Sequence, residues 1–324
     1  MDILKDNYNR FFYYLRLSIT DLCNFNCGYC LPNILNKKNN EYLTPSEIYN
    51  LVNAFSELGV QKIRITGGEP TIRSDLFKIS ESIRYISNIK SLVLTSNGYK
   101  LNKIVKDIKN FGFTGINISL DTLNRDKFIT ITGRDYFKKV LEGIYKAIEL
   151  NLEIKINVVV SRFFSLEDFE DFYSFLKYKN IVIRFIEQME TKSIKKNYKS
   201  YITSSYILEF LRLNKWKQKD NRLFTDGPAT LFYNDNYLGK IGIINPYSKE
   251  FCYSCNRLRI SSLGRLYLCL FSDNSYSLRH LLKKSAQKDE LKKFILDKMK
   301  VKDESHFLTQ SKFGSIDNFS SIGG

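Results

Sequence analysis

The chain has 324 residues, of which 43% are hydrophobic and 14% aromatic, enough for one large α/β domain with a smaller appendage. Its formal charge is +16, but the lysines are spread along the whole chain, so charge alone does not indicate a nucleic-acid partner. We find no run of eighteen apolar residues and no apolar stretch behind a basic start, so we expect no membrane span, no signal peptide and a cytoplasmic location.

Short β-branched runs alternate with helix-length segments over about two thirds of the chain. The predicted strands are 15–20, 62–66, 91–97, 116–121, 153–160 and 182–188. The predicted helices are 44–59, 74–87, 101–110, 134–150 and 165–178. Because apolar strands separated by helices form parallel βαβ units, the pattern predicts a partial (βα)6 TIM-like barrel.

The alternation ends near residue 220. We therefore predict two regions, a barrel over 1–220 and a C-terminal α+β extension over 221–324. Three of the six cysteines lie in each region: Cys23, Cys27 and Cys30 in the first, and Cys252, Cys255 and Cys269 in the second.

The two cysteine triplets are read as metal ligands, because intracellular thiols are kept reduced. A structural zinc site needs four ligands, and neither triplet has a fourth cysteine or histidine nearby in the sequence. A cubane iron-sulfur cluster held by three thiolates leaves one iron open to a small molecule. The two histidines, His280 and His306, are assigned structural roles.

Polar motifs follow three of the predicted strands: TGGEP at 66–70, TSNG at 95–98 and SLDT at 119–122. In barrel enzymes the active site is built from the loops at the carboxyl ends of the strands. Gly67 and Gly68 would allow a close approach of the backbone to a ligand. We therefore expect these loops and the first cysteine triplet to form one common site.

The spacing C-x3-C-x2-C, with Tyr29 before the last cysteine, resembles the radical S-adenosylmethionine superfamily, and the GGEP motif is its usual companion. Within that superfamily the chain is similar to the GTP 3′,8-cyclases, the first enzymes of molybdenum cofactor biosynthesis. The motifs that carry this similarity run from residue 15 to residue 324: LRLSITDLCNFNCGYCLP, KIRITGGEPTIR, LTSNG, ISLDT, TGRDYFKKVLEGI, KINVVV, RFIEQM, DGPA, FCYSCNRLRISSLGRLYLCLF and the terminal IGG.

The resemblance implies two 4Fe-4S clusters, one in each cysteine triplet, the first binding S-adenosyl-L-methionine and the second facing GTP. The positions that match contacts to S-adenosylmethionine are Tyr29, Gly68, Ser119 and Met189. The positions that match contacts to GTP are Arg16, Arg64, Thr95, Lys155, Arg257 and Arg259. Arg184 matches an arginine of the active-site channel, and Gly323 and Gly324 match a tail that the family needs for activity.

The implied reaction converts GTP to (8S)-3′,8-cyclo-7,8-dihydroguanosine 5′-triphosphate. A 5′-deoxyadenosyl radical would remove the hydrogen from C3′ of the ribose, and the carbon radical would close onto C8 of guanine. The resemblance also implies a homodimer, an external electron donor and a downstream cyclic pyranopterin monophosphate synthase. It implies no membrane or nucleic-acid partner.

Four features depart from the family pattern: Leu22, Leu31, Phe319 and the loop SRFFSLEDF after KINVVV. None of them is a cluster ligand. One alternative is another radical enzyme with an auxiliary cluster, such as a peptide maturase, which would be expected to lack the pair Arg257 and Arg259 and the glycine tail. The other is a zinc protein that binds nucleic acid, whose binding would fall steeply with salt.

Overall fold

Twelve strands form one sheet in the part of the chain that the structure, a computed structural model, describes: residues 3–30, 41–190, 202–220, 223, 225–310 and 322. The first six strands are parallel and adjacent in chain order. They are β1 (Tyr14–Ser18), β2 (Lys62–Thr66), β3 (Ser91–Ser96), β4 (Gly115–Ser119), β5 (Ile154–Val160) and β6 (Val182–Glu187). Each overlaps a predicted strand, and the predicted partial (βα)6 barrel is confirmed.

Helices follow the strands, as expected for βαβ units. They are α1 (Pro45–Glu57), α2 (Leu76–Arg84), α3 (Leu101–Asn110), α4 (Arg125–Thr132), α5 (Phe137–Glu149) and α6 (Leu166–Phe175). α1 begins with a capping box, in which the side chains of Thr44 and Glu47 each accept a hydrogen bond from the other's backbone N–H. Its buried face, which includes Leu51 and Phe55, packs in the main core.

The sequence did not predict α4, whose last four residues, ITIT, are β-branched and disfavour a helix. Capping at the two ends of the segment compensates for this low helix propensity. Asn124 accepts hydrogen bonds from the backbone N–H groups of Asp126 and Lys127. Gly133 ends the helix in the left-handed conformation at φ 66°.

The later elements extend the sheet at both edges. They are α7 (Ser204–Leu213), β7 (Lys217–Gln218), β8 (Thr230–Tyr233), β9 (Lys240–Ile244), α8 (Lys249–Tyr253), β10 (Arg257–Ile260), β11 (Arg265–Tyr267), β12 (Tyr276–Ser277) and α9 (Lys288–Met299). β9 pairs in parallel with β6, and β10 pairs in parallel with β1. The C-terminal region is therefore built onto the two open edges of the partial barrel.

The two faces of the barrel strands differ in chemistry. On β1, Leu15 and Leu17 belong to the main apolar core, whereas Tyr14 and Arg16 line a cavity. The polar interior of the barrel is therefore where a ligand can be held. Over the described ranges, no helix is long and apolar enough to cross a bilayer.

Candidate active site

The Gly67–Gly68 turn after β2 is packed against the first cysteine loop. Gly68 N donates to Thr20 O at 2.9 Å, and Glu69 N donates to Leu22 O at 2.8 Å. A Cβ on Gly68 would lie 2.1 Å from Leu22 O. Glycine is required here because the backbone of the cysteine loop occupies the place of a side chain.

A first cavity lies at the carboxyl ends of the barrel strands. The predicted residues that line it are Cys23, Cys27, Tyr29, Cys30, Gly68, Thr95, Ser119 and Met189. Thr95, predicted to contact GTP, lies here and does not line the second cavity described below. The structure thus brings the first cysteine triplet together with all four positions predicted for S-adenosylmethionine.

The three cysteines of the first triplet are half-buried and lie close enough to influence one another's charge. Burial, followed by the neighbouring Cys23 and Asp121, raises the pKa of Cys30 to about 12. Burial also raises the pKa of Cys23 and Cys27. Phe25 N and Asn97 Nδ2 approach Cys23 Sγ at 3.4 and 3.8 Å as donors.

This donor set fits an iron-sulfur cluster. Thiols with raised pKa values become thiolates when bound iron compensates their charge. The described residues contain no group of three or more histidine, cysteine or acidic side chains placed around a single metal ion. The thiolates of a cubane bind separate irons, so they need not converge on one point.

Asp121 is a site residue that the sequence analysis missed. Tyr29 Oη donates to Asp121 Oδ2 at 2.6 Å, and Val159 N donates to Asp121 Oδ1 at 2.8 Å. Burial raises the pKa of Asp121 to about 6. The carboxylate thus fixes Tyr29 in the wall of the first cavity, and its place in the SLDT motif was the available signal.

Glu69, also missed, joins two loops of the site. Its carboxylate accepts from Thr71 N at 3.1 Å, from Ser96 Oγ at 2.9 Å and from Asn97 N at 2.6 Å. The residue is fully buried. Glu69 therefore holds the loop after β2 against the loop after β3.

A second cavity lies between the barrel interior and the C-terminal region. The predicted residues that line it are Arg16, Arg64, Arg184, Met189, Cys252, Cys255, Arg257, Arg259 and Cys269. Arg16 is the register partner of Arg64 on β2 and of Arg259 on β10. The second cysteine triplet and five predicted arginines therefore share one chamber.

Four arginines of this chamber, Arg16, Arg64, Arg184 and Arg259, are buried near one another. Burial, then Arg259 and Arg64, lowers the pKa of Arg16 well below its ordinary value. Burial also lowers the pKa of Arg184 and Arg259 to about 10. The Nε atoms of Arg64 and Arg184 have no hydrogen-bond partner among the described residues. Such a cluster favours a polyanionic ligand, which supplies both charge and acceptors.

Lys155 lines neither of these two cavities. Its ammonium forms an ion pair with Glu153, and burial, then Arg184, lowers its pKa. It lies on β5 two residues before Asn157, which lines both cavities. The structure therefore places Lys155 one layer below the shared wall.

The second triplet has an electropositive environment. Burial raises the pKa of Cys255, but Arg257 and Lys302 outweigh it and lower the value to about 7. Burial raises the pKa of Cys269. Lys302 Nζ donates to Leu268 O at 2.5 Å, next to Cys269 in the chain. Cations stabilise thiolates, so the triplet fits a metal cluster.

The lining residues of the second cavity that were not predicted as site residues include Arg10, Lys302 and His306. Arg10 Nη1 donates to Cys252 O at 2.9 Å and thereby joins the N-terminal segment to the second triplet. His306 Nε2 lies 2.8 Å from Pro246 O. These residues are far from the cysteines in sequence and belong to no predicted motif, so the sequence held no signal for them.

Three residues line both cavities: Asn157, Ile186 and Met189. The two chambers therefore share a wall. Gly323 and Gly324 lie outside the described residues. Ile322, just before them, is buried, and Arg259 Nη1 donates to its carbonyl oxygen at 3.4 Å.

A partial barrel with three cysteines after its first strand and a glycine turn after its second defines a radical S-adenosylmethionine enzyme. The Radical SAM superfamily model matches residues 17–176, and the Molybdenum Cofactor Synthesis C model matches residues 181–308. The chain belongs to the GTP 3′,8-cyclase family. It is 44% identical over 324 residues to the GTP 3′,8-cyclase of Psychromonas ingrahamii, covering 99% of this chain and 95% of that relative. It is 42% identical to the GTP 3′,8-cyclase of Pasteurella multocida, and that match covers 100% of this chain and 97% of the relative.

Solved structures share the fold at low sequence identity. Streptococcus suis SuiB bound to S-adenosylmethionine matches with a TM-score of 0.62 and 16% identity. The match covers 85% of this chain and 66% of SuiB, just under two thirds of the latter. The anSMEcpe structure with bound AdoMet matches with a TM-score of 0.51 and 19% identity. This match covers 62% of this chain and 58% of anSMEcpe.

Proposed function

We propose that this protein converts GTP to (8S)-3′,8-cyclo-7,8-dihydroguanosine 5′-triphosphate, the first step of molybdenum cofactor biosynthesis. The observation that carries the proposal is the wall of Asn157, Ile186 and Met189 that the two cavities share. One cavity has the thiols of a radical S-adenosylmethionine enzyme, and the other has buried arginines suited to a triphosphate. Family membership supports the same activity.

The first triplet holds a 4Fe-4S cluster, as in the superfamily to which the chain belongs. Cys23, Cys27 and Cys30 would hold this cluster, which would supply the electron that cleaves S-adenosylmethionine into methionine and a carbon radical able to take a hydrogen atom from the substrate. Tyr29, Gly68, Ser119 and Met189 are proposed to contact S-adenosylmethionine. Asp121 and Glu69 then act as positioning residues, because they fix Tyr29 and the surrounding loops.

The second triplet is proposed to hold another 4Fe-4S cluster whose open iron faces GTP. The lowered pKa of Cys255 supports this role, because the Arg257 and Lys302 charges favour its thiolate. The presence of three thiols without a fourth cysteine in the cavity lining leaves a coordination position for substrate.

The arginines of the second cavity are proposed to bind and orient the triphosphate. Arg16, Arg64 and Arg259 are register neighbours, so their side chains enter the chamber side by side. Binding there would direct the ribose towards the shared wall and the cofactor. Thr95 is on the cofactor side of that wall, so its proposed contact with GTP would be made across it. Lys155 is also proposed to contact GTP, from the layer of β5 below Asn157.

Four expectations from the resemblance stay predictions: the role of the tail Gly323 and Gly324, a homodimer, an external electron donor and a downstream cyclic pyranopterin monophosphate synthase. The domain limits 1–220 and 221–324 also stay a prediction. We propose all of them for this chain on its membership of the family.

The test uses anaerobically reconstituted protein with a reductant, GTP and S-adenosylmethionine. We expect 5′-deoxyadenosine and a cyclised product that is an isomer of GTP, separated from GTP by chromatography and identified by its fragments in mass spectrometry. Cys23→Ala should abolish both products, because the first triplet loses a ligand. Formation of 5′-deoxyadenosine with GTP left intact would refute the proposed substrate.

A further inference from the structure

One polar group in the wall of the second cavity has no partner. Tyr14 begins β1 and is 1% exposed. Its hydroxyl is buried and makes no hydrogen bond among the described residues. The residue lines the cavity that contains the arginines.

Cations surround this tyrosine. The guanidinium of Arg64 lies 5.3 Å from the centre of its ring, and Lys62 Nζ lies 5.2 Å from the same point. Burial raises the pKa of Tyr14, but Arg64, Arg16 and other cations outweigh it and lower the value. A phenol in such a field is a strong hydrogen-bond donor.

An unpartnered buried hydroxyl is unfavourable in the folded protein. A phenylalanine would fill the same space without that cost, and the neighbouring Phe12 is fully buried in the same segment. The hydroxyl is therefore best explained by a ligand that accepts its hydrogen bond. Because positive charge surrounds the hydroxyl, that ligand should present an anionic oxygen.

The position of Tyr14 indicates which part of the ligand it meets. It lies two residues before Arg16 on β1, so it is one inward-facing layer deeper in the barrel. The cysteines of the first triplet follow the opposite end of this strand. A nucleotide whose ribose lies at the shared wall would reach Tyr14 with the far end of its phosphate chain.

We propose that the Tyr14 hydroxyl donates a hydrogen bond to the terminal phosphate of GTP and so selects the triphosphate over the diphosphate. This inference rests on the proposed function. The arginines attract anions in general. The Tyr14 hydroxyl adds a neutral hydrogen-bond donor, which contributes selectivity for the last phosphate.

The experiment measures GTP and GDP binding by calorimetry on anaerobically reconstituted protein without S-adenosylmethionine. We expect Tyr14→Phe to weaken GTP binding about tenfold and to change GDP binding by less than about twofold, since one hydrogen bond to a charged group is lost. Tyr13→Phe is the matched control, because Tyr13 is the adjacent residue and does not line this cavity.

Thermal unfolding without nucleotide gives a second readout. If the hydroxyl has no protein partner, Tyr14→Phe should unfold at the same temperature as the wild type or higher. A clearly lower midpoint would show that the hydroxyl has a structural partner and would overturn the proposal.

Two binding outcomes would also overturn it: unchanged GTP affinity, or equal loss of affinity for GTP and GDP. Failure of the proposed function has a different signature, because wild-type protein would then bind neither nucleotide and form no cyclised product. That result would remove the basis for the Tyr14 assignment as well.

Discussion

Gly68 lies so close to Leu22 that a Cβ on the glycine would come within 2.1 Å of the leucine carbonyl oxygen. This contact is between backbones, so it cannot be relieved by rotating a side chain. The turn after β2 thus determines where the first cysteine loop lies.

Gly68→Ala should therefore displace the cysteine loop and impair the first cluster. We expect 5′-deoxyadenosine formation to fall by about a hundredfold, since a displacement of about 1 Å at a reacting centre has effects of this size. The measurement is 5′-deoxyadenosine per chain after reconstitution, with iron content determined in parallel.

Gly28→Ala is the matched control, since Gly28 is in the same loop and a Cβ there would meet nothing within 4 Å. It should behave as the wild type. Equal loss of activity in both variants would show that the close contact of Gly68 is not the cause.

Arg184→Met should weaken GTP binding while stabilising the nucleotide-free protein. The guanidinium is buried beside Arg64, and burial lowers its pKa to about 10. We expect the KM for GTP to rise about ten- to a hundredfold, because charge-assisted contacts are lost. Without nucleotide the unfolding midpoint should rise, because an inadequately compensated buried charge is removed.

The control for this charge is Arg125→Met. Arg125 is exposed and pairs with the exposed Asp135, away from both cavities. It should leave GTP binding and the unfolding midpoint nearly unchanged. Wild-type GTP affinity in Arg184→Met would contradict a role in triphosphate binding.

Asp121→Asn should change how stability depends on pH. Burial raises the pKa of Asp121 from 3.8 to about 6, so the folded state holds this proton more tightly than the unfolded state. The stability that the proton provides is present below about pH 4 and is lost as the pH rises through about 6. The variant should therefore gain stability relative to wild type between about pH 4 and 7.

This comparison requires cluster-free protein, in which thermal unfolding is followed at several pH values. Parallel stability curves for the two proteins would contradict the raised pKa. Tyr29→Phe, which removes the donor to Asp121, is the companion variant and should retain a pH-dependent curve.

Cys269→Ala should remove the second cluster and leave the first. Iron should fall from about eight to about four atoms per chain if each triplet holds a 4Fe-4S cluster. Cleavage of S-adenosylmethionine should continue, while the cyclised GTP product disappears. An unchanged iron content would exclude a cluster at the second triplet. Cys23→Ala is the comparison, because it should abolish cleavage of S-adenosylmethionine, which Cys269→Ala should retain.

Much of this site could be predicted from local sequence. The cysteine spacing, the glycine turn and the alternating arginines of β1, β2 and β10 are short patterns with a direct chemical meaning. Regular strand and helix lengths allowed the barrel to be predicted in the same way. α4 was missed because its β-branched residues disfavour a helix, although the capping residues at its two ends stabilise one.

The rest depends on distant contacts. Arg10 and Lys302 are nearly 300 positions apart, yet both line the second cavity. Tyr14 looks like an ordinary strand residue, and only burial among cations distinguishes it. Thr95 lies on the cofactor side, which the TSNG motif alone did not indicate.

The wall shared by the two cavities is proposed to bring the cofactor and the ribose of GTP together. The most direct measurement supplies GTP with deuterium at C3′ and analyses the 5′-deoxyadenosine by mass spectrometry. We expect the deuterium to be transferred to 5′-deoxyadenosine as the cyclised product forms, and we expect GTP deuterated at C2′ to transfer none. Unlabelled 5′-deoxyadenosine formed from C3′-deuterated GTP during turnover would contradict it.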